Sequence, residues 1–306
     1  MALAPYSTAG GERQHGISGM KSIVITGVSS GIGQGAARVL AAAGYRVFGS
    51  VRRQADADRL KQELGERFTP LVFDVTDAAA VKAGADSVRR ALAGETLFGL
   101  VNNAGVAVAG PVLETPLDEL RRQLEVNLVG VVATLQAFAP LLWQGVGAGE
   151  RPGRIVNITS VGGKTALPFL GPYVASKFAL EGLTESLRRE MMLFAVPVIA
   201  IAPGMVSTEM TVKGAEYDLT PYAGTPYAAA LAKVQAFMSP GGQAALTPER
   251  LGQAILHALT TGRPRVRYTV APNPAQTFLI EHLPKRMVDA MLGGMLGLKP
   301  KTAAAA

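Results

Sequence analysis

The sequence predicts an α/β chain: a doubly wound, mostly parallel seven-stranded sheet with helices on both faces. Three observations carry that expectation. Short apolar runs alternate with longer segments of helical period. Most of the runs are apolar throughout, as strands covered on both faces are. The first run passes through a glycine-rich turn directly into a helix. With 306 residues, 48% hydrophobic and 17% charged, the chain has the length and apolar content for one large core.

In chain order, residues 1–19, MALAPYSTAGGERQHGISG, hold no apolar block of signal-peptide length. They read as a flexible N-terminal extension, either loose chain or a remnant of expression, with Met20 as an alternative natural start. Candidate strands follow at Ser22–Ile25, Arg46–Val51, Pro70–Phe73, Gly99–Val101, Arg154–Ile158, Val198–Ile201 and Arg267–Val270. Between the fourth and fifth, Leu117, Leu120, Leu124 and Leu128 recur at the three- and four-residue steps of a helix. No internal repeat or low-complexity linker divides residues 20–275, which are expected to form a single domain. Residues 276–306 should form a C-terminal helical extension ending in a frayed tail, KTAAAA.

Composition excludes several chemistries. There is no cysteine, so disulfides, thiolate metal sites and cysteine nucleophiles are ruled out. The three histidines, His15, His257 and His282, are far apart in sequence, and no metal is expected. The net charge of +7 comes from dispersed Lys and Arg without interleaved aromatics, which favours a solvated surface over nucleic-acid binding and would also suit an anionic small molecule. No run approaches the roughly 18 to 20 consecutive apolar residues needed to cross a bilayer, and a cytoplasmic location is expected. The segment Phe278 to Lys299 mixes apolar residues with Lys285, Arg286 and Lys299. Its default is a helix packed on its own domain or on a twin subunit, with peripheral membrane contact as the alternative.

The first strand runs into TGVSSGIG, Thr26 to Gly33, and then into a helix. Glycines there permit a tight turn and close approach of a pyrophosphate, and the helix N-terminus supplies unpaired N–H groups. The second strand ends at Val51, where an NAD-selective site usually carries an acidic residue, and is followed by Arg52 and Arg53. A guanidinium grips a 2'-phosphate and no carboxylate repels it, so NADP is expected over NAD. Asp56 and Asp58 keep a plain solvated basic turn open as the other reading.

Further along come NNAG at Asn102 to Gly105, Asn127 within a helix, Ser160 just beyond the fifth strand, and Tyr173 four residues before Lys177. The carboxyl ends of strands in an open α/β sheet form the ligand crevice, so these groups converge there. Tyr173 and Lys177 sit one helical turn apart and share a face. An ammonium about 5 Å from the phenol favours the phenolate by roughly 3 kcal/mol at an effective dielectric near 20, about two pH units. That proximity predicts a lowered tyrosine pKa and a group able to move protons.

This ordered set resembles the short-chain dehydrogenase/reductase family over about Lys21 to Val270, and its LPFLGPY run and Arg52 pattern resemble the NADP-preferring 17β-hydroxysteroid and retinol dehydrogenase-like branch. The resemblance implies a Rossmann-type catalytic domain that is active as a homo-oligomer. It makes Tyr173 the general acid/base and also a cofactor contact, Ser160 a hydrogen-bond partner of the substrate oxygen, Lys177 a further contact to the nicotinamide ribose, and Asn127 the support of a proton-relaying water. It assigns cofactor contacts to Gly27, Ser29, Ser30, Gly31, Ile32 and Gly33, to Arg52 and Arg53, to Asp74, to Asn103, Ala104 and Gly105, and to Pro203, Gly204, Val206 and Thr208. The implied chemistry is hydride exchange between NADP(H) and a lipophilic carbonyl or alcohol. Leu167, Phe169, Leu170, Met205 and Met210 are expected to line the substrate pocket, with residues 205–245 as a lid or a core-covering pair of helices. A non-catalytic, dinucleotide-sensing protein on the same fold is the rival.

Overall fold

Two edge strands frame the sheet, and the placement of one of them follows from its sequence. The computed structural model describes residues 19–147, 151–239 and 244–298. Its strands are β1 Ser22–Ile25, β2 Arg46–Val51, β3 Phe68–Val72, β4 Gly99–Asn102, β5 Arg154–Ile158, β6 Val198–Pro203 and β7 Arg267–Val270. All pairings are parallel, in the order β3-β2-β1-β4-β5-β6-β7. β3 starts two residues before the expected Pro70, because Phe68 is fully buried and pairs with Val47. Pro70 is tolerated within the strand because β3 has a neighbour on one side only.

The helices are α1 Gly31–Ala42, α2 Gln54–Leu64, α3 Ala78–Leu92, α4 Leu117–Leu124, α5 Gly130–Phe138, α6 Gly171–Glu190, α7 Glu209–Ala215, α8 Ala228–Met238, α9 Pro248–Thr260, α10 Pro274–His282 and α11 Lys285–Leu296. Alternate residues of β1 serve opposite faces. Ile23 and Ile25 join Leu40, Leu251 and Ile255 in one core, while Val24 joins Val81, Phe138 and Leu180 in the other. Each such side chain contributes about 1.5 to 3 kcal/mol when fully buried. On the first face α1 and α9 lie in close contact: a Cβ on Gly252 would come 2.9 Å from the Gly35 carbonyl oxygen.

The helix predicted around Leu117 to Leu128 exists, but its leucines do not form its most buried face. Leu117 is 66% exposed, and the fully buried members are Gln123 and Asn127. A π turn at Glu125–Val129 separates α4 from α5, and polar contacts made by Gln123 and Asn127 decide which side turns inward. By length and composition the whole stretch Leu117–Leu142 would suffice to cross a membrane, yet Phe138, Leu141 and Leu142 belong to the sheet's core.

β1 and β4 are neighbours, so the strand order reverses there and a crevice opens at their carboxyl ends. The segment above that crevice is closed at its base by Ser207 N–H donating to Leu246 O and Leu246 N–H to Met205 O, both at 2.9 Å. Between those points α7 and α8 form a cap with its own small core of Phe169, Tyr222, Ala230, Leu231, Val234 and Leu296. Leu296 belongs to α11, so the C-terminal extension packs against this cap. The extension is two helices broken at Pro284, not one. Residues 1–18 and the end of the chain from Lys299 lie outside the described residues.

Candidate active site

The turn after β1 is shaped by sterics and backbone hydrogen bonds. Gly27 and Gly31 hold φ of 69° and 57°, the left-handed region that glycine enters without strain. A Cβ on Gly33 would lie 2.1 Å from the Gly27 oxygen and 2.4 Å from Asn103 Nδ2, so no other residue fits. Asn103 Nδ2 donates to the oxygens of Thr26 and Gly27, both at 2.9 Å, and the Thr26 hydroxyl accepts from the N–H groups of Asn103 and Ala104 at 3.0 Å. The NNAG segment therefore supports the turn directly. Ser30 caps α1 without a side-chain bond, and no acidic residue stands in the first turn of that helix. Its N–H groups are left for an anion, and the glycine cradle fits a pyrophosphate.

Beside the turn, Val51 is buried at the end of β2 and Arg52 is exposed, with no ion-pair partner among the described residues. Arg53 is engaged by Asp56 at 2.8 Å. Arg59, which sequence reasoning missed, reaches back from α2 to donate to Ser29 O at 2.7 Å. Its place in the wall was concealed because it touches the turn 30 residues earlier. Asp74 accepts from the N–H and hydroxyl of Thr76 just past β3.

The chemical end is assembled from β5 and α6. Ser160 is buried and caps a short 3-10 turn, its oxygen accepting from Gly162 N–H at 2.9 Å, which leaves its own proton to donate. Tyr173 opens α6 just after Pro172, a residue suited to the first turn of a helix. Lys177 is buried, and its Nζ donates to Ile158 O at 2.9 Å and lies 5.8 Å from the centre of the Tyr173 ring. The structure thus brings Ser160, Tyr173 and Lys177 together.

It reverses the expected direction of the tyrosine shift. Burial pushes the Tyr173 pKa up, and the Ser160 hydroxyl only partly opposes this. Burial also pushes Lys177 down to about 8, with Glu181 pulling the other way. The loss of water around a buried phenolate outweighs the nearby ammonium, whose Nζ is directed to the Ile158 carbonyl. At neutral pH Tyr173 is therefore a phenol.

Asn127 sits within the π turn and its amide is fully occupied. Its Oδ1 accepts from Val106 N–H at 2.8 Å, and its Nδ2 donates to Val106 O and to Ser176 Oγ, both at 3.0 Å. Ser176 in turn donates to Tyr173 O at 2.7 Å. Gln123, one turn earlier, clamps Val106 and Val108 in the same way. Gln123 and Ser176 were not foreseen, although two amides one helical turn apart, at i and i+4, were the available signal for the first of them. Gly105 lies against Asn127, since a Cβ there would be 3.3 Å from its Oδ1.

Of the expected pocket residues, Leu167, Leu170 and Met205 are half-buried, and Met210 on α7 is 41% exposed. Phe169 takes a φ of 65°, a conformation that costs a bulky residue about 1 to 3 kcal/mol, and lies inside the cap's core edge-on to Tyr227. Ile32 packs on the main core, to which Val206 belongs. Thr208 caps α7 and touches the phosphate turn, since a Cβ on Gly31 would come 3.2 Å from its methyl carbon. Pro203 ends β6, and Gly204 faces Ala271, 2.9 Å from where its Cβ would be. The Tyr217 and Tyr222 hydroxyls meet at 3.2 Å, and burial helps push Tyr217 up to about 12.

A family model described as short chain dehydrogenase matches residues 21–218. The chain is 37% identical over 277 residues to an NADPH-dependent 3-dehydrocapnine reductase from Ornithobacterium rhinotracheale, covering 88% of this chain and 95% of that protein. It is 34% identical to human retinol dehydrogenase 5, covering 92% and 90%. Among solved structures, a short chain dehydrogenase from Burkholderia cenocepacia in complex with NADP superposes with a TM-score of 0.68 at 25% identity, covering 89% of this chain and 97% of that one.

Proposed function

Because the chain belongs to the short-chain dehydrogenase family, we propose that it is an NADP(H)-dependent oxidoreductase that reduces a lipophilic ketone or aldehyde, with Tyr173 as the acid. The observation that carries this reading is the convergence of Ser160, Tyr173 and Lys177 at the carboxyl end of the parallel sheet, the end that also carries the glycine turn. Bound NADPH supplies the hydride. The chain's own residues do the rest. The Ser160 hydroxyl donates a hydrogen bond to the carbonyl oxygen, and Tyr173, kept protonated by burial, delivers its proton to that oxygen as negative charge develops. Lys177 and the Asn127–Ser176 pair hold the tyrosine-bearing turn in place.

Cofactor choice rests on the exposed Arg52 and on Arg59 at the turn, and on the names of relatives that use NADPH or NADP. The lipophilic substrate rests on the apolar cap and on relatives named for retinol. Mixing the protein and NADPH with a panel of hydrophobic ketones and aldehydes, while following loss of the reduced nicotinamide, tests the reading. Turnover confined to small hydrophilic sugars would refute the lipophilic assignment. Tight NADPH binding without turnover of any panel member would favour the dinucleotide-sensing protein.

A further inference from the structure

Three residues other than glycine hold a positive φ among the described residues, and two of them have a local cause. Ala93 ends α3 and Ala195 ends the 3-10 turn that follows α6, and a left-handed residue is a common way for a helix to stop. Phe169 ends no helix. At a φ of 65° it stands two residues before α6 begins, where a bulky side chain meets the full steric penalty.

Its backbone and its ring are gripped from different sides. The Phe169 oxygen accepts from Gly110 N–H at 2.8 Å, and Leu170 pairs with Gly110. The ring is 9% exposed and belongs to the cap's core with Leu231, Val234 and Leu296, edge-on to Tyr227 at 6.1 Å between ring centres. Burial of a large aromatic side chain and left-handed strain are of comparable size, so the ring's seat in the cap offsets the backbone.

The next residue begins the helix that carries the acid. Leu170 is the N-cap of α6, makes no side-chain cap bond, and accepts from Val174 N–H through its oxygen at 2.8 Å. Pro172 has no N–H to cap. The first turn of α6 therefore takes its direction from the chain at Phe169 and not from a capping side chain. Tyr173 lies in that turn, beside Ser160: a Cβ on Gly162 would come 3.2 Å from Ser160 Oγ and 3.6 Å from Tyr173 Cε1. A shift in the turn would move the phenol relative to the serine.

We propose that Phe169 is a positioning residue for Tyr173: its ring, seated in the cap, holds a left-handed turn that aims the start of α6 and sets the acid against Ser160. The inference rests on the role assigned to Tyr173. It joins the substrate side of the cleft to the chemistry, because the core that shapes the cap also orients the proton donor.

The test compares two truncations of this side chain in the full-length protein, by the single-turnover rate of ketone reduction at saturating NADPH and ketone. Phe169→Ala removes the ring but keeps the steric penalty, and the rate should fall roughly tenfold with NADPH affinity unchanged. Phe169→Gly removes the same ring and the penalty with it, so the rate should return most of the way to wild type although this variant leaves the larger void. A residue that only fills the cap gives the other order, with glycine no better than alanine. One that only lines the pocket raises KM for the ketone and leaves the saturated rate unmoved, and either result overturns the proposal. If Phe169→Ala does not fold, Tyr227→Ala, which strips the ring's edge-on neighbour, must lower the rate in the same direction, and an unmoved rate is again fatal. An inactive wild type, or a Tyr173→Phe variant with full turnover, sinks the enzymatic reading instead.

Discussion

The two sides of the cleft are held by different physics. On the phosphate side, glycines leave no room for a Cβ and the neighbouring asparagine is spent on backbone oxygens, so the geometry is fixed locally by sterics and hydrogen bonds. On the cap side, shape comes from burial of Phe169, Tyr222, Leu231 and Leu296, which are contributed by segments far apart in the chain. The first kind of site tolerates almost no change and binds an invariant group. The second can be repacked, which is where substrate choice resides in such folds.

The largest expected effect breaks the phosphate side alone. Gly33→Ala places a carbon against the Gly27 oxygen and should cost about 3 kcal/mol of NADPH affinity, roughly 100-fold, by isothermal titration. Leu296→Ala attacks the other side. It should lower stability by about 2 kcal/mol or more and raise KM for a hydrophobic ketone, while the NADPH dissociation constant stays put. A matching loss of NADPH affinity would show that the two sides are not separable. Arg52→Ala sharpens the phosphate side, with about a tenfold loss of NADP affinity and little change for NAD; equal losses would remove Arg52 from reading the 2'-phosphate.

A smaller effect lies between the two sides, at Lys177. Its folded pKa of about 8 is below the ordinary lysine value of 10.5, so between those pH values the unfolded chain holds a proton that the folded chain has lost. This group's contribution to stability therefore rises with pH across that window. Denaturant titrations should show the rise in the wild type and not in Lys177→Met. The raised pKa of Tyr173 acts oppositely above about pH 10, where its burial disfavours the phenolate.

The contrast also explains what could be read in advance. Strands with continuous apolar faces and glycines at fixed offsets are local signals, and Ser160, Tyr173 and Lys177 were visible because spacing alone puts them at strand ends and on one helical face. β3 was misplaced by two residues because a proline inside a strand reads as its start unless the strand is known to lie at an edge. Arg59 and Ser176 were hidden because each acts on a group distant in sequence. The direction of the tyrosine shift was hidden for a related reason: spacing reports the neighbouring charge but not the loss of water.

The proton donor is the centre of this account, and Tyr173→Phe tests it most directly when turnover and binding are measured on the same protein. The single-turnover rate of carbonyl reduction should fall by about 100-fold to 10,000-fold, with NADPH bound as tightly as before. Reduction at the wild-type rate in that variant would contradict it.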